Sequence, residues 1–311
     1  MSQKIIETNE LTKKYKNFTA LNKVSMTLEQ GDIYGLIGRN GAGKTTLFKL
    51  IMGLSQPTSG GLIIGETKES INSLRNLSHE RKNIGFMIGL SFFPYLSAFE
   101  NIEYYRNLKG IPDKQETLRV LKLVGLDGVK KPFRSFSTGM KQRLGIANAL
   151  LNSPPIVILD EPINGLDPQG IADIRNMIKD MHKTGITFIV SSHVLSELDL
   201  VATKFGFIEQ GVLLKEIGFN DLHKQTRRSL IIETDNPEKA VNILKEKTSD
   251  IINANSYLIE NNKIIINGCL DISNQIARVL IENGVELFEL KRQETTLEEY
   301  FINLIGGKIN A

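Results

Sequence analysis

The chain has 311 residues, enough for about two domains at roughly 150 residues each, and its 41% hydrophobic and 23% charged composition excludes a disordered, collagen-like or low-complexity protein. Its longest charge-free apolar stretches, 84–99 and 144–159, run 16 residues each and contain proline, short of the about 20 that a spanning helix needs; the single cysteine, Cys269, allows no internal disulfide. The net charge of +3 divides unevenly, +7 over the first 215 residues and −4 over 216–311.

In chain order, 32–37 reads as an apolar strand, GRNGAGK as a glycine-rich turn, and TTLFKLIMGL as a helix ending at Gly53. Ser97 and Glu100 have the spacing of a capping box, opening a helix to about 110 with Phe99, Ile102 and Tyr105 on its apolar face. The aromatic run before it (Phe92, Phe93, Tyr95, Phe99) is expected to form core, the alternative being a face for a membrane partner. A helix over 142–151 is followed by the breaker Ser153-Pro154-Pro155 and by the apolar run 156–159. Short, continuous and bounded by turn residues, that run predicts a strand buried on both faces of a parallel sheet. A helix over 169–183 and a second such strand, 186–190, complete an alternating α/β pattern.

A polar connector, 217–228, separates a different arrangement. Strand 229–235, helix 237–247, two short strands joined at Asn261 and Asn262, helix 271–283, strand 285–290 and a last helix capped by Thr295 give the β-α-β-β-α-β order of a ferredoxin-like unit. The expected fold class is therefore α/β, a phosphate-loop nucleotide-binding domain over 1–219 followed by a small α+β ferredoxin-like domain over 220–311.

Gly38-Arg39-Asn40-Gly41-Ala42-Gly43-Lys44-Thr45 fits GxxxxGK[ST] between strand and helix, with Thr46 next in the binding set. Glycines let successive N–H groups point into one concavity at a helix N-terminus, Lys44 adds a charge for the β- and γ-phosphates, and the Thr45 hydroxyl can ligate Mg²⁺. The mildly basic first 215 residues suit such an anionic ligand, although solvated lysines explain the charge equally well. Where the strand 156–159 ends, Asp160 can hold Mg²⁺ and Glu161 can polarise an attacking water. Ser191, Ser192 and His193 end the next strand, on the edge where doubly wound sheets bind ligands. Ser137, Thr138 and Gly139 at a helix start form a second anion site.

Together these motifs resemble the ATP-binding subunit of an ABC transporter over about residues 4–216. The resemblance implies that residues 136–140 are the signature motif, in which Ser137, Thr138 and Gly139 cap the γ-phosphate of ATP on another subunit, so that two chains sandwich two ATPs head to tail. It also implies that Asp160 is the magnesium acid, Glu161 the catalytic base, Asp167 a dimer-contact acid, His193 the γ-phosphate switch and Tyr15 the aromatic that stacks on adenine; an ordinary strand tyrosine would look the same. ATP and Mg²⁺ are the implied cofactors, and a separate transmembrane permease and a second ATP-binding subunit the implied partners. The location that follows is cytoplasmic, peripheral on the inner face of the membrane, which also agrees with the lone cysteine and with an N-terminus lacking a leader's basic start and apolar stretch.

Two departures stand out. Thr138 and Met140 replace a glycine and the glutamine of Leu-Ser-Gly-Gly-Gln, and Gly89 stands where the family has a glutamine that contacts magnesium. Gly89 keeps open an ATP-dependent regulatory module with little turnover. Lys44 and Ser137 are 93 residues apart without sustained heptads, unlike the coiled-coil DNA-repair ATPases, and no Asn-Lys-x-Asp guanine motif occurs, so neither nucleic acid nor GTP is expected. FSTGMKQRLGIANALL, ILDEPINGLDP and TTLEEYF look most like the bacitracin and lantibiotic export ATPases, which points to peptide-antibiotic export for resistance or immunity; an exporter ATPase for an unrelated substrate is the other possibility within the family.

Overall fold

The computed structural model describes residues 3–65, 83–225, 228–247, 257–260, 263–267, 272–294 and 297–309. His79, Asn261, Asn262, Cys269 and Thr295 lie outside the described residues. Two compact units are present, Met1–Phe219 and Asn220–Ala311.

The first unit opens with an antiparallel sheet. β1 (Lys4–Tyr15) pairs with β2 (Phe18–Val24) and β3 (Thr27–Glu29). After β4 (Ile33–Ile37) and α1 (Lys44–Ile51), β5 (Ser59–Ile64) returns to pair with β1. β6 (Ile84–Met87), α2 (Ala98–Leu108), α3 (Gln115–Leu123) and α4 (Thr138–Ala149) lead to β7 (Ile156–Asp160). α5 (Pro168–Lys183), β8 (Thr187–Ser192), α6 (Leu195–Asp199), β9 (Lys204–Glu209) and β10 (Val212–Gly218) complete the unit. The main sheet has the order β10-β9-β4-β8-β7-β6, parallel except for β10. As the apolar runs predict, every residue of β4 and the first four of β7 are buried. Leu47, Phe48 and Ile51 of α1 pack with Leu36, Ile158 and Ile189 in one core, which fixes the helix against the sheet.

Register places the chemistry. Ile37 pairs with Ser192 and Asp160 with Ser191, so the carboxyl ends of β4, β7 and β8 finish level at one edge.

The region between β6 and β7 corrects three expectations. The capping box forms, with Ser97 Oγ accepting from the Glu100 N–H at 3.2 Å and Glu100 Oε2 from the Ser97 N–H at 2.8 Å. That start turns Ala98, Asn101, Ile102 and Arg106 inward, leaving Phe99 exposed. The aromatic run is not core: Phe93, Tyr95 and Phe99 are exposed, and half-buried Phe92 packs on Tyr105 and Phe133 with ring centroids 5.6 and 5.2 Å away. α4 starts four residues earlier than its apolar pattern suggests, because Ser137 caps it by accepting from the Met140 N–H.

α7 (Phe219–Gln225) carries the chain onward. In the second unit, β11 (Arg228–Thr234), α8 (Pro237–Lys247), β12 (Tyr257–Glu260), β13 (Lys263–Asn267), α9 (Ser273–Glu282), β14 (Leu287–Glu294) and α10 (Leu297–Ile309) follow. Its antiparallel sheet runs β12-β13-β11-β14, the ferredoxin-like order. Leu230, Ile232, Ile264 and Ile266 pack there against Leu244 of α8 and Ile276 and Leu280 of α9.

Candidate nucleotide site

The loop between β4 and α1 bounds a cleft of about 300 Å³ lined by residues 39–46, Phe18, Ala20, Asp160 and Glu161. Lys44 is buried at 6% exposure, and its Nζ donates to the carbonyls of Gly38 (2.5 Å) and Arg39 (3.3 Å). The same ammonium is 3.1 Å from Glu161 Oε1. The angles of that approach miss a hydrogen bond, so Oε1 is held by charge alone. A buried cation at the floor of a loop of backbone N–H groups is a site for a polyphosphate.

Two acids reach the cleft from the end of β7. Asp160 has both oxygens engaged: Oδ2 accepts from Thr45 Oγ1 at 2.6 Å, and Oδ1 from Ser191 Oγ at 2.6 Å. Thr45 and Asp160 thus present two hard oxygens side by side, and no cluster of three or more His, Cys, Asp or Glu suited to a metal occurs among the described residues. Two protein oxygens, with phosphates and water left to complete the shell, fit a Mg²⁺ that arrives with a nucleotide rather than a caged metal.

Glu161 sits at φ +52°, the left-handed region that costs a non-glycine residue about 1–2 kcal/mol. This backbone turn lifts its carboxylate off the strand and into the cleft. Oε2 is 2.7 Å from His193 Nδ1, and because a carboxylate only accepts, Nδ1 carries the hydrogen. Lys44, Glu161 and His193, three of the residues read from sequence, therefore form one connected chain.

Other predicted residues lie elsewhere in the unit. Ser137, Thr138, Gly139 and Asp167 do not line this cleft. They adjoin one another instead: Gly139 faces Leu166, Thr138 faces Gly165, and Asp167 caps α5 by accepting from the Gly170 N–H at 3.2 Å. Tyr15 is also outside the lining. It ends β1 directly opposite Phe18, with Lys13 Nζ 4.9 Å from its ring centroid, and the aromatic side chain in the cleft is Phe18. Gly89, at φ +67°, has open space beyond its Cα. His182 is structural, its Nε2 2.7 Å from the Gly31 carbonyl. A larger groove of about 1220 Å³, lined by Pro154, Gly185 and α5, lies away from these groups, and its Arg119 and Arg143 are engaged by Glu116 and Asp173.

Residues 21–164 match the family model described as ABC transporter. The chain is also 40% identical over 308 residues to the bacitracin transport ATP-binding protein BcrA of Bacillus licheniformis, covering 97% of this chain and 98% of that protein. The chain belongs to the ATP-binding subunits of ABC transporters. As a subunit of that family it binds and hydrolyses ATP. The lantibiotic transport ATP-binding protein SrtF of Streptococcus pyogenes is 41% identical over 214 residues, 68% of this chain and 90% of that one. The solved dimer of the ATP-binding cassette MJ0796 with ADP and Pi has a TM-score of 0.63 at 26% identity, covering 69% of this chain and 99% of that one. The bacitracin relative thus matches both units, whereas the MJ0796 cassette matches a length close to the first alone. No helix among the described residues is long and apolar enough to cross a membrane, and homologues of this subunit work with transmembrane permeases.

Proposed function

We propose that this subunit powers export of a peptide antibiotic of the bacitracin or lantibiotic type, as a head-to-tail homodimer docked from the cytoplasmic side on a separate permease. The observation that carries the substrate class is the 40% identity to the bacitracin relative, which runs through the accessory unit as well as the ATPase. The exposed aromatics Phe93, Tyr95 and Phe99 suit a face for the permease.

In this reading the backbone N–H groups of residues 39–45 and Lys44 Nζ hold the β- and γ-phosphates. Thr45 Oγ1 and Asp160 Oδ2 would hold Mg²⁺, which when bound neutralises phosphate charge and fixes the phosphate geometry. Phosphate competes with Glu161 for Lys44, so nucleotide binding releases Oε1 to accept the proton of the attacking water. His193 Nδ1 keeps the other oxygen, Oε2, in place. Ser137, Thr138 and Gly139 of the partner chain close over the γ-phosphate, and Asp167 steadies the contact. Phe18, with Tyr15 behind it across the hairpin, supplies the aromatic surface for the base.

The test is expression with its permease in a bacitracin- and lantibiotic-sensitive host. Wild-type protein raises the tolerated concentration of one of these peptides. Glu161→Gln, which keeps the shape but removes the base, binds ATP and dimerises, turns over about 10²–10⁴-fold more slowly and gives no protection. Protection by Glu161→Gln equal to wild type removes Glu161 from the mechanism, and wild-type ATPase without protection against either class refutes the substrate assignment.

A further inference from the structure

Ser191, the penultimate residue of β8, is fully buried and paired in register with Asp160 of the neighbouring strand. Burying a hydroxyl is unfavourable unless it is hydrogen-bonded, and both of its bonds go to the acid pair. Its oxygen accepts from the Glu161 N–H at 2.9 Å, and its one hydrogen goes to Asp160 Oδ1 at 2.6 Å, the short distance of a hydroxyl–carboxylate bond. Thr45 Oγ1 holds the opposite oxygen, Oδ2. The Asp160 carboxylate is therefore held by a hydroxyl at each end, one from the phosphate loop and one from β8.

These two hydroxyls are not equivalent. Thr45 and Asp160 Oδ2 face the cleft and present their lone pairs there, so a metal arriving with nucleotide competes for them. Ser191 is fully buried and outside the lining of the cleft, so a metal arriving there does not compete for its hydroxyl. It also fixes the amide of the residue at φ +52°, the backbone turn that aims the Glu161 side chain into the cleft.

We propose that Ser191 is a positioning residue that locks the metal-holding carboxylate of Asp160 and the peptide of the base Glu161 into one unit, so that magnesium affinity and base placement depend on the same hydroxyl. The proposal rests on the ATPase assignment and adds to it a residue outside the phosphate loop, the acid pair and the histidine.

The experiment compares full-length wild type with Ser191→Ala, Ser191→Cys and Ser191→Thr. Two measurements are made across a Mg²⁺ titration: steady-state ATPase, and the melting temperature with ATP present relative to ATP plus chelator. In Ser191→Ala and Ser191→Cys the Mg²⁺ concentration for half-maximal effect rises about 10–100-fold in both measurements, the range found when a group supporting a metal ligand is removed. kcat falls, and KM for ATP at saturating Mg²⁺ stays within about threefold of wild type, because the phosphate contacts are intact. Ser191→Thr keeps the hydroxyl and restores the wild-type Mg²⁺ response. A hydroxyl that serves only packing gives the opposite split: lower melting under all conditions with an unchanged Mg²⁺ midpoint, which overturns the proposal. If Ser191→Ala fails to fold, the near-isosteric Ser191→Cys decides, and failure of both to fold also overturns it in favour of a structural role. Wild-type protein that does not hydrolyse Mg²⁺–ATP would count against the ATPase assignment, a result separable from any behaviour of the Ser191 variants.

Discussion

Gly38 and Gly41 both belong to the phosphate loop, yet the structure predicts different failures when each becomes alanine. A Cβ on Gly38 would stand 2.4 Å from the Ile208 carbonyl oxygen and 2.8 Å from Ile208 Cγ2. Carbon and carbonyl oxygen rest about 3.3–3.6 Å apart, so something must move by about 1 Å. The carbonyl belongs to β9, a strand paired with β4 on one side and β10 on the other, and it yields less readily than the loop. Overpacking of this kind costs about 1–3 kcal/mol, or roughly 2–12 °C in melting temperature for a unit of this size. The larger effect is on binding. The Gly38 carbonyl positions Lys44 Nζ, and a loop displaced by about 1 Å loses aligned hydrogen bonds to phosphate worth about 1.5–3 kcal/mol each, roughly 10–150-fold in affinity for one such bond.

Gly41 has no atom within 4 Å of an added Cβ but sits at φ +82°. Alanine there bears a left-handed penalty of about 1–2 kcal/mol. That strain is the same in free and ATP-bound protein, so it lowers the melting temperature while changing affinity by no more than about threefold. Titration with a fluorescent ATP analogue and thermal melting of both variants separate the two mechanisms. Gly38→Ala binding ATP within about threefold of wild type would falsify the steric argument, as would equal affinity losses in the two variants.

Three further outcomes are expected. Ser137→Ala removes the α4 cap, worth about 1 kcal/mol and so about 2–4 °C of melting temperature, but it lowers ATPase by more than that loss explains; a proportionate change would leave Ser137 a cap only. Asp167→Asn retains a capping oxygen for the Gly170 N–H, so melting is unchanged while ATP-driven dimerisation, read by size-exclusion chromatography of the Glu161→Gln background, weakens. Glu103 is held at about 2, well below the usual carboxylate range, by hydrogen bonds from the Arg106 guanidinium and then from Thr117. Because the folded state keeps this group ionised, its contribution is complete above about 4.5 and is lost as pH falls toward about 2; Glu103→Gln lowers melting at pH 7 and flattens the loss between those values.

The motifs that were legible are those in which chemistry dictates residue types at fixed spacing. The glycines, Lys44 and Thr45 must be consecutive because one loop wraps one phosphate chain, and Asp160 is visible because a run of buried aliphatics ends on it. Periodicity was less informative between β6 and β7. Phe99, Ile102 and Tyr105 make a regular apolar stripe, but the Ser97 cap rotates the helix so that Asn101 points inward. Its side chain there accepts from the Phe93 N–H and donates to the carbonyls of Phe93, Leu96 and Ser97. A polar residue that organises the preceding turn carries no apolar signal. Tyr15 and Phe18 present a similar ambiguity. The two are direct partners across the hairpin, yet only Phe18 lines the cleft, and no residue pattern announces which of two neighbouring aromatics does so.

Ser191 belongs to the part of the site that no local residue pattern marks. Its partners are 30 and 31 residues away, and what unites them is the parallel pairing of β7 with β8, in which Asp160 stands opposite Ser191. Either neighbouring pairing would look the same to a sequence reader, since Ser191 and Ser192 are the same residue type. A one-residue slip would exchange them across the two faces of the sheet. In the observed register Ser192 instead accepts from the Val194 N–H and shapes the turn that carries His193. The two serines thus divide the work, one holding the acids and one the turn into His193, and only the hydrogen-bond ladder between strands tells them apart.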